Sequence, residues 1–196
     1  MPKHGFFTPS RFKDAMTNGR GKDTPGQTAI DYAWEVAMER LGVVAPDFTA
    51  PALQWGNDHE HLAIEHYAWQ TFNEVEAVLQ PFVHPDYSFV AGTPDGLIGT
   101  EGLIEVKCPY NPKNHLQNYL NGAQVGQYTP QMQGYMWITG AQWCDFVSFD
   151  PRYPEVMKIK IIRVERDQDY IDLLAARITE LNEIANQIVK EAENGL

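Results

Sequence analysis

The chain has 196 residues, 43% hydrophobic and 21% charged, with a formal net charge of −11. That length and balance suit one globular domain with a sizeable core, and they argue against a protein that binds DNA by bulk positive charge. No apolar run approaches the ~20 residues needed to span a membrane, and Cys108 and Cys144 alone are too few for a disulfide framework or a cysteine zinc site.

The opening Met1-Pro2-Lys3-His4-Gly5 lacks the apolar stretch of a signal peptide, so a cytoplasmic location without membrane partners is expected. The charge is unevenly spread. Residues 1–22 hold Lys3, Arg11, Lys13, Arg20 and Lys22 against Asp14 alone, whereas residues 165–196 hold eight acids against three bases. Such a chain still binds a polyanion if its bases and bound metal ions line one channel. Composition by itself equally fits a solvated surface with no partner.

Residues 17–26, rich in Gly, Thr and Asn, read as a loop. A helix is predicted over 27–41, with Ile30, Ala33, Trp34, Ala37, Met38 and Leu41 on its apolar face. A second helix covers about 52–73, its apolar side set by Ala63, Ile64, Tyr67, Ala68 and Phe72. Residues 77–91 read as extended structure interrupted by Pro81 and Pro85, and Gly92-Thr93-Pro94-Asp95-Gly96 as a turn. Gly102–Lys107 reads as a strand stopped by Pro109, followed by a helix near 113–121. Thr129-Pro130 resembles a helix cap with proline at the first helical position. That helix runs to Gly140. Strands near 142–149 and 156–164 precede a C-terminal helix over about 168–193, with Ile171, Leu174, Ile178, Leu181, Ala185 and Ile188 on one side. The expected fold is a single α/β domain over 1–196, a central mixed β-sheet flanked by helices.

Residues 104–107 read Ile-Glu-Val-Lys. Side chains alternate along a strand, so Glu105 and Lys107 share one face of a half-buried element while Ile104 and Val106 enter the core. A hairpin through the upstream turn would bring Asp95 beside Glu105. Magnesium takes oxygen ligands and keeps several waters, so one or two carboxylates plus substrate phosphate complete its shell. Asp95 and Glu105 supply the carboxylates, and the Val106 carbonyl offers a third protein oxygen. A metal held there lowers the pKa of bound water and polarises a phosphate. Lys107 would orient or deprotonate that water, or offset charge in the transition state. On the residues alone a second reading stands beside this one, an exposed Glu–Lys pair on an edge strand.

Pro94-Asp95 followed by Glu105-Val106-Lys107 resembles the PD-(D/E)xK nuclease superfamily. Trp55-Gly56-Asn57-Asp58-His59-Glu60, Gly92–Gly96, Glu105–Pro109, Gln131–Trp137 and Phe149-Asp150-Pro151-Arg152 together resemble one branch, the phage lambda exonuclease-like alkaline exonucleases. The resemblance spans nearly the whole chain and implies a restriction-endonuclease-like core. It implies that Asp95, Glu105 and Glu60 bind two Mg2+ ions (Mn2+ could substitute), and that Lys107 positions the attacking water. Without it, Glu60 reads as a solvated helix carboxylate.

The resemblance further implies a pocket for the terminal 5′-phosphate at Lys3, Ser10, Thr93 and Gln131. The lambda enzyme has arginine where Lys3 stands and serine where Thr93 stands; lysine loses the bidentate phosphate geometry, and threonine keeps the hydroxyl. Ser10 also reads as a helix N-cap before Arg11. Implied too are 5′-to-3′ digestion of one strand of linear double-stranded DNA to leave a 3′ overhang, a homotrimeric ring, a single-strand annealing protein as partner, and a phage or prophage origin in a bacterial host. Arg11, Lys13, Arg20, Lys22 and Lys113 are candidate DNA contacts, each alternatively an ordinary surface charge.

His59, His61 and His66 lack the H-E-x-x-H spacing of a zinc protease. Cys108 reads as a small buried residue, and Trp34, Trp55, Trp69, Trp137 and Trp143 as core. The rivals to an exonuclease are an endonuclease with the same metal site and a non-catalytic DNA-binding subunit of the same fold. Asp95, Glu105 and Lys107 are all present, which disfavours the latter.

Overall fold

A computed structural model describes residues 4–21, 24–43 and 50–195. Lys3 and Lys22 lie outside the described residues. A 3-10 turn, Pro9–Arg11, leads into α1 (Phe12–Ala15), α2 (Gln27–Arg40) and α3 (Pro51–Thr71). In the stretch expected to be extended, β1 (Phe82–Val83) and β2 (Ala91–Gly92) pair as a short antiparallel ribbon, and Val90 bridges Phe7 in parallel. Then come β3 (Gly96–Ile98), β4 (Gly102–Lys107), α4 (Pro112–Asn121), α5 (Val125–Thr139), β5 (Trp143–Phe149), β6 (Ile159–Glu165) and α6 (Gln168–Asn194).

The central sheet has the order β3-β4-β5-β6. β3–β4 and β5–β6 are antiparallel and β4–β5 is parallel, so the sheet is mixed. A parallel pair needs a long crossover, which α4 and α5 supply. Alternation along β4 sends Ile104 and Val106 towards Ala63 and Tyr67 of α3, packed with Val147 and Phe149. Leu103 turns the other way, to Met132, Tyr135 and Met136 of α5 and to Cys144 and Phe146. Helices therefore cover both faces of the strand. The expectation that Glu105 sits on a half-buried face is corrected: it shares α5's side and is 0% exposed.

Behind α5 lies a second core built from α1, α2 and α6. Ile171, Leu174, Ile178, Leu181 and Ala185 of α6 are buried as their spacing predicts. On α2 the buried face is Ala29, Tyr32, Ala33, Val36 and Ala37, while Trp34, Met38 and Leu41 are exposed. The small alanines let α2 and α6 approach closely, which rotates the expected face. Phe72 is not part of α3's apolar side. It is the left-handed C-cap, 93% exposed. Trp34 and Trp69 are likewise exposed rather than core, Trp55 and Trp143 are half-buried, and Trp137 is buried.

The helix expected to start at Pro130 starts at Val125, and Pro130 lies inside it. Pro130 has no N–H to donate to the Gly126 carbonyl, so one helical bond is absent there; one residue earlier, the Thr129 hydroxyl donates to the Val125 carbonyl at 3.4 Å. At the strand expected from 156, residues Glu155–Met157 form a 3-10 turn and pairing begins at Ile159. Buried Gln133 ties α5 to the end of β6, donating to the Glu165 carbonyl at 2.8 Å and accepting from Asp167 N–H at 3.0 Å.

The 3-10 turn is seated on α5 at Gly134, where an added Cβ would lie 2.5 Å from Phe12 Cδ2. Overpacking of this kind costs about 1–3 kcal/mol. Gly134→Ala is therefore expected to lower the urea midpoint by that amount of stability, and an unchanged midpoint would show that Phe12 moves aside freely.

Candidate active site at the end of β4

The antiparallel β3–β4 hairpin pairs Gly96 with Ile104 and brings Asp95 to the edge of β4, but the chain reverses over 99–101 rather than at the expected Gly92–Gly96 turn. Asp95 Oδ2 accepts a 2.6 Å hydrogen bond from Val106 N–H. In an extended strand the N–H and C=O of one residue project to the same edge. The Val106 carbonyl therefore points towards the edge that carries Asp95, away from β5.

Glu105 is fully buried beneath α5. Its Oε1 forms a close ion pair with the Lys107 ammonium. Its Oε2 has no hydrogen-bond partner among the described residues. Burial, with repulsion from Asp95, pushes the Glu105 carboxyl up to about 8 against the pull of Lys107, and Glu60 adds to the rise. Burial pulls the Lys107 ammonium down, but Glu105 and Asp95 outweigh it and leave its pKa raised. The ammonium also lies 4.9 Å from the centroid of the Tyr128 ring. On α3, Glu60 is half-buried and its pKa is raised, by burial and then by Asp95, with Lys107 opposing. Thus Glu60, Asp95 and Glu105 share one electrostatic neighbourhood with a single lysine.

Among the described residues, no group of three or more His, Cys, Asp and Glu side chains forms a ready-made metal cage. A hard divalent ion such as Mg2+ does not require one: it takes one or two carboxylates and leaves other positions to water and phosphate. The residues fit such an ion on two counts. The donors are oxygens, and Glu105 Oε2 is buried without a hydrogen bond, a state with a cost of its own.

The proposed phosphate contacts Ser10, Thr93 and Gln131 come from three elements that meet at one corner. A Cβ at Gly92 would lie 2.8 Å from Pro9 Cδ and 2.9 Å from Tyr135 Cε1, so the 3-10 turn, β2 and α5 are in contact there. Ser10 is exposed, with its hydroxyl 3.3 Å from that of Thr8. It does not cap a helix: it lies within the 3-10 turn, and Arg11 is the N-cap of α1. Thr93 follows β2 and is half-buried, and Gln131 donates to the Tyr135 hydroxyl at 3.3 Å.

The basic residues divide. Arg11 is held by Asp14 and Glu35, both at 2.7 Å, and lies over the Tyr32 ring, so it reads as a structural ion pair. Lys13 is exposed and reaches Gln127 at the start of α5. Arg20 and Lys113 are exposed. Cys108 is half-buried rather than buried, and burial, with Glu60, Asp95 and Asp150 nearby, pushes its thiol up to about 12. Two of the sequence motifs meet beside the site: the Trp55 ring is stacked at 3.8 Å on His59, and Arg152 lies 4.3 Å over Trp55.

Residues 1–142 match the YqaJ-like viral recombinase domain. No curated protein matches the chain. Among solved structures it is similar to the alkaline exonuclease LHK-Exo from Laribacter hongkongensis, with 31% identity, a TM-score of 0.88, and coverage of 98% of this chain and 94% of that one. A structure of LHK-Exo in complex with dAMP matches at 31% identity and TM-score 0.85, covering 99% and 96%. A phage related exonuclease from Haemophilus somnus 129PT shares the fold at 20% identity and TM-score 0.82, covering 96% and 97%. The chain, a mixed α/β protein whose strand ends carry Asp95, Glu105 and Lys107, belongs to the YqaJ-like viral recombinase family.

Proposed function

We propose that the whole chain is one exonuclease domain that degrades one strand of linear double-stranded DNA from the 5′ end and leaves a 3′ overhang for strand annealing. The observation that carries this reading is the under-compensated carboxylate group, Asp95, Glu105 and Glu60 beside Lys107 at the end of β4. Similarity at 31% identity over nearly the full length to an alkaline exonuclease supports the reaction class. The dAMP bound to that relative supports a mononucleotide product.

In this reading Asp95, Glu105, Glu60 and the Val106 carbonyl hold Mg2+, as two ions, with Mn2+ able to substitute. Bound there, the metal supplies Lewis-acid polarisation of the phosphodiester and a more acidic water. Lys107, fixed between Glu105 and the Tyr128 ring, orients the attacking water and offsets charge developing on the phosphate. Ser10, Thr93 and Gln131, with Lys3, receive the terminal 5′-phosphate. Lys13, Arg20 and Lys113, with Lys22, lie along the duplex, and Arg11 supports the turn that carries Ser10. A ring of three copies would place bases inside and acids outside, which reconciles DNA binding with a net charge of −11. An annealing protein would take up the overhang. Among the described residues no helix is long and apolar enough to cross a membrane, in keeping with action on DNA in a bacterial cytoplasm.

A time course on end-labelled linear duplex, with Mg2+ and with chelator, is expected to show metal-dependent release of mononucleotides from 5′ ends. Rapid cutting of closed circles would overturn the exonuclease reading in favour of an endonuclease. Lys107→Ala is expected to lose about 10²–10⁴-fold in rate while duplex-end binding, measured by fluorescence anisotropy, persists. Undiminished digestion by that variant would remove the assigned role. Ends bearing 5′-phosphate are expected to be digested faster than 5′-hydroxyl ends, with the difference shrinking in Thr93→Ala and Gln131→Ala. Equal rates for both ends in the unaltered protein would rule out the phosphate corner.

A further inference from the structure

Arg152 follows the end of β5, and its guanidinium is committed on several sides. Nε donates to Asp150 Oδ1 and one terminal nitrogen to Asp150 Oδ2, both at 2.7 Å. The same terminal nitrogen donates to the Pro109 carbonyl at 3.0 Å, and the other to the Tyr110 carbonyl at 3.1 Å. Four of the five N–H donors are thus used within the protein, which leaves little for a DNA phosphate. Asp150 is itself fully buried, and its N–H is bonded to the Lys158 carbonyl.

The flat face of the same guanidinium lies over Trp55, near the start of α3. The Trp55 indole N–H is buried without a hydrogen-bond partner among the described residues. Its ring is held by stacking: Arg152 on one contact, His59 at 3.8 Å and Tyr110 edge-on at 6.2 Å. His59 in turn anchors its Nδ1 to the Trp55 carbonyl at 2.8 Å. The next residue on the helix is Glu60.

We infer that Arg152 is a positioning residue that clamps three segments together: the end of β5, the loop after β4, and the part of α3 that carries Glu60. Asp95 and Glu105 belong to the rigid hairpin, with Asp95 hydrogen-bonded to Val106. Glu60 arrives from a separate helix on the other face of the sheet. Its distance from the hairpin carboxylates therefore depends on what fastens α3 to the strand ends, and Trp55 with Arg152 is that fastening near Glu60. Further along, α3 is tied by the Tyr67 hydroxyl donating to Asp145 at 2.7 Å. That bond and the packing of Ala63 on β4 fix the middle and far half of the helix, and the Arg152 clamp fastens the turn just before Glu60. Lysine cannot replace this group, because it lacks both the fork and the planar stacking surface.

The inference rests on the metal-site reading above and is tested with Mn2+ alone, by calorimetric titration of the full chain without DNA. Arg152→Ala and Arg152→Lys are expected each to weaken Mn2+ affinity about 10-fold, as losses of groups that orient metal ligands do. Glu60→Gln is expected to weaken it to a similar extent, and adding Arg152→Lys to Glu60→Gln to weaken it no further. Thermal melts of each variant give the folded fraction to which the titrations are normalised. A clamp that serves only stability lowers the melting temperature and leaves the affinity of the folded fraction unchanged, which would overturn the inference. Additive losses in the double variant would overturn it too. Should Arg152→Ala fail to fold, Arg152→Lys carries the comparison. Asp95→Asn separates the two levels: loss of Mn2+ binding there with unaltered affinity in Arg152→Lys sinks only the clamp, whereas unaltered affinity in Asp95→Asn sinks the metal site and the clamp with it.

Discussion

The Glu105 carboxylate has been taken entirely out of water, and much of the molecule is arranged around that fact. A buried ionised carboxylate is penalised by several kcal/mol unless it is paired. Lys107, two residues along the same face of β4, supplies one partner for one oxygen. The second oxygen has none, and Asp95 and Glu60 add repulsion. A fold optimised only for stability would place an apolar residue there, as it does at neighbouring Ile104 and Val106. The cost is retained in a largely buried, anionic recess whose chemistry suits a divalent cation.

The surrounding architecture holds the parts of that recess in register. α5 roofs it with Tyr128 and Tyr135, packed on Phe146 and against Gly92. The same helix carries Gln131 outward and is fastened at its far side by Gln133 to the end of β6. Small residues are where elements must touch: Gly92 and Gly134 let the turn at Pro9–Arg11 seat against β2 and α5 at once. The corner where the elements carrying Ser10, Thr93 and Gln131 come together is a consequence of those two contacts. On the other face, Tyr67 and Arg163 converge on buried Asp145, each within 2.9 Å, and hold α3 to the sheet.

What the sequence disclosed follows a physical division. Period-two alternation made β4 and its Glu105–Lys107 face legible, whereas the hairpin itself was expected through Gly92–Gly96 and instead reverses over 99–101, after the unpredicted short strand β3. The α6 face was legible from its periodicity too. Tertiary packing overrode local signals elsewhere. Thr129-Pro130 carries a strong capping signature, yet the helix runs through it from Val125, because the roof over Glu105 requires a longer element. The apolar face of α2 rotated towards its alanines, since close approach to α6 outweighed the larger Trp34 and Met38. Glu60 was readable only through its motif's resemblance to a family: nothing in residues 51–71 announces that one carboxylate faces the hairpin. Arg152 had a motif but no role until its contacts to Trp55 and to the loop after β4 could be seen.

The acid excess and a DNA substrate are compatible once the carboxylates are considered together with the cation they demand. An approaching phosphate meets Glu60, Asp95 and Glu105 before any compensating charge except Lys107, and at short range in a recess of low dielectric that repulsion is large. A DNA end therefore enters the recess only after a divalent ion has reversed its sign, so on the proposed reading metal occupancy gates the substrate as well as activating it. On the same reading the exposed bases Lys13, Arg20 and Lys113 need only orient the duplex. Arg11, spent on Asp14 and Glu35, is withdrawn even from that. On the proposed reading, specificity for an end rests on Lys3 together with the uncharged donors Ser10, Thr93 and Gln131, whose hydroxyls and amide would meet a terminal phosphate through directional hydrogen bonds. Weak steering with directional capture lets such a protein release internal duplex and retain an end, and that behaviour suits digestion that starts at a terminus.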